Sequence, residues 1–193
     1  MENFVKLLYQ SQNTIVNYKD LALIWQETNE NKLKNRVAYC VKRGYLRRLT
    51  RGIFAKDKNY DPRELATSLY TPSYISFETV FRDAGMIFQY YETIFVAGPW
   101  ARDIRIQGNK YTFRKLKDVV LYNPRGVINS GNISIATPER AFLDMIYLAP
   151  GYYFDNLRPL KWPVCFELVK IYNNRQLIKR LDKYYQDYVN DSG

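Results

Sequence analysis

NENKLKNRVAYCVKRGYLRRLTRGIFAK, residues 29–56, divides into a helical half and an extended half. Leu33, Val37, Cys40 and Val41 recur at spacings of three and four, which predicts a helix over residues 31–43 with one buried face. At about 3.6 residues per turn, Asn31, Asn35, Tyr39 and Lys42 fall opposite that face, and Lys32, Arg36 and Arg43 flank it. None of these positions is a carboxylate, whereas an ordinary solvated helix mixes its signs. Gly44 stands where a helix end calls for a left-handed residue. Residues 45–49 and 53–56 then read as short strands, with Thr50-Arg51-Gly52 as the turn and Gly52 free to take a positive φ.

A basic helix followed by a basic hairpin is the outline of a winged helix-turn-helix. In that reading the helix enters the major groove of DNA, and Arg47, Arg48 and Arg51 touch phosphate or the minor groove. Asn35 and Arg36 are the expected base readers, because an amide suits adenine and a guanidinium suits guanine. The alternation in Leu46-Arg47-Arg48-Leu49 is imperfect and leaves open which arginine points outward. The alternative for this stretch is a solvated basic face with no ligand.

The segments before it fit the same outline. Phe4, Leu7 and Leu8 predict an amphipathic helix over residues 2–10, and Thr14-Ile15-Val16 a small strand. Asn17 is expected to cap a second helix with Leu21, Ile24 and Trp25 inward. Charge is concentrated here. Residues 1–60 carry 12 Lys and Arg against 5 Asp and Glu, and residues 61–193 carry 17 against 14. Seven of the ten net positive charges therefore sit in the first third, which points to a polyanionic partner.

Composition also excludes. The chain has no histidine, so it lacks the commonest general base, the commonest metal ligand and any Ser-His or Cys-His pair. Its two cysteines, Cys40 and Cys165, fit neither a zinc spacing nor a disulfide framework and read as buried thiols. There is no phosphate-binding glycine loop, no dinucleotide fingerprint and no closely spaced carboxylate pair for metal-dependent nucleotidyl transfer. No cofactor, no metal and no catalysis are expected. The N-terminal residues lack a basic, apolar leader, and no stretch reaches the length needed to span a bilayer. The expectation is a cytoplasmic protein without membrane contact.

Beyond a polar linker at residues 58–62 the pattern changes to a mixed α+β one. Helices are expected over residues 63–70 and 77–84. Strands are expected at 93–97, 102–107, 110–116, 119–122 and 133–136, with a loop at 126–131. Thr137-Pro138-Glu139-Arg140 opens a helix, with Thr137 as cap and Ala141, Phe142, Met145, Ile146 and Leu148 inward. Two terminal helices follow. Asp144 reads as a structural helix aspartate without an evident partner. Phe88, Tyr90 and Tyr91 read as core or interface residues rather than a stacking platform. The fold class is α+β: a winged helix-turn-helix over residues 1–57, then a mixed α+β domain with terminal helices over residues 62–193.

Two sets of residues carry a resemblance. One is the N-terminal helix pair with residues 42–55, KRGYLRRLTRGIFA. The other is residues 74–78, YISFE, together with residues 136–147, ATPERAFLDMIY. The combination resembles the AbiEi antitoxin family of abortive-infection type IV toxin–antitoxin pairs, over nearly the whole chain. The resemblance implies a phage-defence protein that represses its own operon by binding inverted repeats through a winged helix. It implies contacts to double-stranded operator DNA from Lys32, Asn35, Arg36, Tyr39, Arg47, Arg48 and Arg51. It also implies a C-terminal domain that counteracts a nucleotidyltransferase-like toxin, without requiring a stable complex with it. The alternatives are a protein-interaction module and a nucleic-acid-processing enzyme with a basic DNA-binding head.

Overall fold

The computed structural model describes residues 3–192; the expected helix start at Glu2 and the expected domain ends at Met1 and Gly193 lie outside them. The chain begins α1 (Asn3–Gln10), β1 (Ile15–Asn17), α2 (Tyr18–Trp25), α3 (Glu30–Lys42), β2 (Arg47–Thr50) and β3 (Ile53–Ala55). The three strands form an antiparallel sheet in the order β1-β3-β2.

Local chemistry sets these boundaries. Asn17 closes β1 and caps α2. Its side-chain oxygen accepts from the amides of Lys19 and Asp20 at 2.8 and 3.1 Å, while Asp20 accepts from the Asn17 amide at 2.8 Å. Such a reciprocal cap satisfies backbone donors that the first helical turn leaves unpaired. Asn29 caps α3 through the Lys32 amide at 3.0 Å, so the helix starts one residue before the expected position. It stops at Gly44, whose φ is +79°. There the Gly44 amide donates to the Val41 carbonyl at 3.1 Å and the Tyr45 amide to the Cys40 carbonyl at 2.8 Å, the paired bonds of a glycine-terminated helix.

Strands β1 and β3 of the small sheet are buried on both faces. Val16 pairs with Phe54, and both join Leu8, Leu21, Leu33, Val37 and Cys40 under the helices. Ile15, Ile53 and Ala55 turn the other way, into a core shared with the rest of the chain. Leu49 joins them where the β2–β3 register shifts between Arg48 and Thr50. In α1 the buried residues are Val5 and Leu8, while Leu7, expected inward, is exposed. Phe4 packs at the edge of this cluster.

The remainder runs α4 (Pro62–Ser68), β4 (Tyr74–Ile75), α5 (Glu78–Asp83), β5 (Ile94–Gly98), β6 (Arg102–Ile106), β7 (Asn109–Lys115), α6 (Asp118–Leu121), β8 (Val127–Ser130) and β9 (Ile133–Ala136). Then come α7 (Pro138–Leu148), α8 (Trp162–Leu168), a 3-10 helix over Val169–Tyr172, and α9 (Arg175–Ser192). The strands form a mixed six-stranded sheet in the order β6-β7-β5-β4-β9-β8. The protein is thus α+β with two sheets among the described residues.

Three expectations for this half are corrected. Residues 119–122, expected as a strand, lie in and just after helix α6, where the amides of Val120 and Leu121 both donate to the Lys117 carbonyl at 2.9 Å. Only Val120 and Leu121 of that apolar run are buried, and Val119 and Tyr122 face outward. Residues 126–131, expected as a loop, contain β8, an edge strand held by antiparallel pairing of Val127 with Ala136 through Ser130 with Ile133. Its side chains are mostly exposed, so no alternation marks it. Leu148 is exposed rather than inward. Among the described residues no helix is long and apolar enough to cross a membrane.

Candidate nucleic-acid interface

The buried stripe of α3 is Leu33, Val37 and Cys40. Opposite it, Asn31, Lys34, Asn35, Ala38 and Lys42 are all exposed, as is Lys32 at the flank. Lys34 and Ala38 belong to this face although neither was among the expected contacts. Glu30, at the helix start, pairs with Lys34 at 2.6 Å. That pair places one carboxylate at the edge of a surface otherwise made of amides, cations and Ala38.

Arg36 and Tyr39 sit differently from the expectation. Arg36 lies three residues after Leu33 and four before Cys40, which puts it beside the buried stripe. It pairs with Glu27 at 3.1 Å, and its guanidinium lies 5.9 Å from the Phe4 ring centroid. Tyr39 is half-buried and meets Phe4 edge-to-face at 6.0 Å. The Arg43 guanidinium stacks over Tyr39 at 5.5 Å. α1 therefore widens the buried side of α3, a tertiary contact that the helix's own periodicity does not contain. Lys32, Asn35 and Lys42 keep their side chains in solvent, and Arg36 is engaged by Glu27.

The hairpin resolves the question of its arginines. Arg48 is opposite Phe54 in the ladder, and its guanidinium lies 5.6 Å from that ring on the helical side of the sheet. Arg47 is opposite Ala55, on the other face, and donates to Gln107 Oε1 at 2.7 Å. Arg51 is at the turn with Gly52, whose φ is +78°. Arg47, Arg48 and Arg51 are all exposed.

A second polar constellation escaped the sequence reading. Arg140 and Asp144, one turn apart on α7, are both fully buried and meet at 3.2 Å. Asp144 also accepts from Tyr172 at 2.6 Å, Ser76 at 2.9 Å and Tyr74 at 3.0 Å. Arg140 donates to the Tyr74 hydroxyl at 2.8 Å and to the carbonyls of Val120, Arg125 and Asn123 at 2.7, 2.7 and 3.3 Å. Burial pushes the Asp144 carboxyl up from the ordinary carboxylate range, while Arg140 and the three hydroxyls pull it down. Burial likewise raises the Tyr74 and Tyr172 hydroxyls, which stay protonated as donors. Asp144 thus has partners, and they fasten α7 to β4, to the 3-10 helix and to residues 120–125.

Gly126 completes this arrangement. A Cβ there would lie 2.9 Å from the Arg140 Cβ and 3.0 Å from Leu168 Cδ1, and its φ is +75°. Glu64 plays a comparable part between the two sheets. It is buried, accepts from the amides of Thr14 and Ile15 at 3.0 and 3.1 Å, from the Thr14 hydroxyl, and from Asn132 at 2.9 Å.

Cys40 and Cys165 are buried in different clusters, and burial pushes the Cys165 thiol up to about 12. Among the described residues no three His, Cys, Asp or Glu side chains are grouped to hold a metal ion. Phe88 and Tyr90, expected in a core or interface, are 78% and 74% exposed, and Tyr91 is half-buried. The Tyr91 ring meets Phe95 edge-to-face at 5.7 Å, and the Arg82 guanidinium lies 5.8 Å from the Tyr90 ring. The Phe88 amide donates to Asp155 at 2.8 Å, and the Asp155 amide to the Met86 carbonyl at 3.1 Å. No family model matches the chain, and no curated protein matches it.

Proposed function

We propose that the chain is a DNA-binding repressor and the antitoxin of a type IV toxin–antitoxin pair of the AbiEi kind. Its first 57 residues act as a winged helix-turn-helix. The observation that carries the DNA-binding half is the exposed face of α3, where Asn31, Lys34, Asn35, Ala38 and Lys42 stand together beside an arginine-bearing hairpin. The order helix–strand–helix–helix–strand–strand, with β3 central in its sheet, also supports it.

In this reading α3 enters the major groove. Asn35 reads adenine through paired bonds to its N6 and N7 edge, and Ala38 offers a methyl contact to thymine. Lys32, Lys34, Lys42 and Arg43 hold phosphates and set the register. Arg36 reads guanine only after leaving Glu27, so the ion pair acts as a latch on that contact. The chain has one such head, and an inverted repeat takes two copies. The antitoxin half rests on the resemblance in residues 74–78 and 136–147. The partner is a nucleotidyltransferase-like toxin that the α+β domain counteracts.

Selection of bound duplexes from a random pool tests the DNA-binding half. Enrichment of an inverted repeat is expected, and recovery of unenriched sequence contradicts it. Co-expression with a nucleotidyltransferase-like toxin tests the other half. Restored growth with the full chain present is expected; continued growth arrest contradicts it.

A further inference from the structure

Helix α9 has two working faces. Leu177 and Leu181 are fully buried and hold it to the core. Arg180, Lys183, Tyr184, Asp187 and Asn190 recur at i, i+3, i+4, i+7 and i+10, and so form a second stripe. With the loop after α7 this stripe encloses a groove of about 810 Å³, whose other wall carries Tyr152, Tyr153 and Phe154.

Bonds of the fold hold both walls in place. The Tyr184 hydroxyl donates to the Tyr152 carbonyl at 2.6 Å. Arg180 Nη1 donates to the carbonyls of Ile146 and Tyr147 at 2.9 and 3.3 Å, near the end of α7. The amides of Asp155 and Asn156 both donate to the Met86 carbonyl at 3.1 Å, which ties down the far side of the loop. A groove so prepared gives up little freedom when a ligand enters.

Its chemistry is graded along the helix. Arg180 and Lys183 stand at one end, Tyr184 in the middle, and Asp187 and Asn190 at the other. Ten residues of helix span about 15 Å. Lys183 is exposed and, among the described residues, has no ion-pair partner. Tyr153 is 79% exposed on a loop anchored from both sides, so its ring is available for stacking. The first end suits an anionic group, the tyrosines suit a flat ring, and the second end suits a polar ring edge.

We infer that this groove binds a free nucleotide: its phosphates meet Lys183 and Arg180, its base lies along the Tyr152–Phe154 wall, and Asp187 and Asn190 meet the base edge. The volume is that of a small-molecule site, for which about 300–1,000 Å³ is usual. Stacking on tyrosine accepts any base, and charge-assisted bonds hold phosphate. None of these residues belongs to α3 or the β2–β3 hairpin, so the inference stands apart from the DNA-binding reading.

The test is titration of the isotope-labelled full chain with ATP, GTP, CTP and UTP, followed by two-dimensional NMR. The matching nucleosides, inorganic phosphate and a short 5′-phosphorylated single strand are titrated alongside. Shifts are expected to centre on residues 151–155 and 180–190. Lys183→Ala should weaken nucleotide binding about tenfold and leave nucleoside binding unchanged. Tyr153→Ala should weaken both, by about fivefold or more. Both side chains are exposed, so the unliganded variants should melt as wild type does. Shifts centred on α3, with Lys183→Ala binding as wild type, overturn the inference and leave the DNA-binding reading intact. Inorganic phosphate binding as tightly as the nucleotides overturns it, as does binding of the single strand but of no free nucleotide. No response to any nucleotide at millimolar concentration also overturns it.

Discussion

The outward face of α3 and the inward face of α7 use similar residues in opposite surroundings. On α3, Asn35, Lys34 and Lys42 stand in solvent around Ala38. On α7, Arg140 has no exposure and spends its donors on three carbonyls, a tyrosine and Asp144. An exposed cation is held loosely, stays hydrated and is available to a phosphate. A buried one must be fully paired, because an uncompensated charge in the interior costs several kcal/mol. The first arrangement suits recognition and the second suits assembly of the fold.

This contrast predicts variants that separate stability from binding. Asp144→Ala should have the largest effect. It strands the Arg140 guanidinium, and breaking a buried pair costs about 3–5 kcal/mol. Urea denaturation measures this, and the folded fraction should bind DNA as wild type does. A loss under about 1 kcal/mol would mean that water reaches the cluster, and the contrast would break.

Gly126→Ala should come next. The added Cβ meets the Arg140 side chain and the backbone has a positive φ, for a cost of roughly 1–3 kcal/mol. Thermal unfolding with an unchanged midpoint would show that residues 120–126 are not anchored as described. The smallest effect should come from Asn17→Ala, which removes the α2 cap for about 1 kcal/mol. Its effect on DNA affinity at saturating folded protein should be negligible, since Asn17 faces Lys19 and Asp20 rather than the α3 surface.

What was legible in the sequence is what local chemistry determines. The Asn17 and Thr137 caps, the Gly44 stop and the Arg51-Gly52 turn each depend on a few adjacent residues, and each is found in its expected place. The 102–116 hairpin was readable for the same reason, from its Gly108 turn and its alternation. β8 was not, because its pairing with β9 is a backbone matter that its exposed side chains do not record. The 119–122 run was misread because four apolar residues fit a strand or a helical turn equally well.

The exposed face of α3 was half legible. Periodicity placed Asn31, Asn35 and Lys42 outward, but it had no means to include α1, which covers the side of α3 that carries Arg36 and Tyr39. The partners of Asp144 lie 28 to 70 residues away except for Arg140. The signal that was present is the spacing of four between Arg140 and Asp144 on an otherwise apolar helix. An ion pair inside an apolar stripe has no reason to be there unless it is buried and paired.

The most direct test of the central claim is the affinity of Asn35→Ala for the selected duplex and for random duplex, with stability measured alongside. The account predicts a loss of about 1–3 kcal/mol on the selected sequence, from the lost base contact. It predicts no comparable loss on random duplex and an unchanged melting temperature. Equal losses on both duplexes, or none on either, would contradict the assignment of α3 as the element that reads the base sequence.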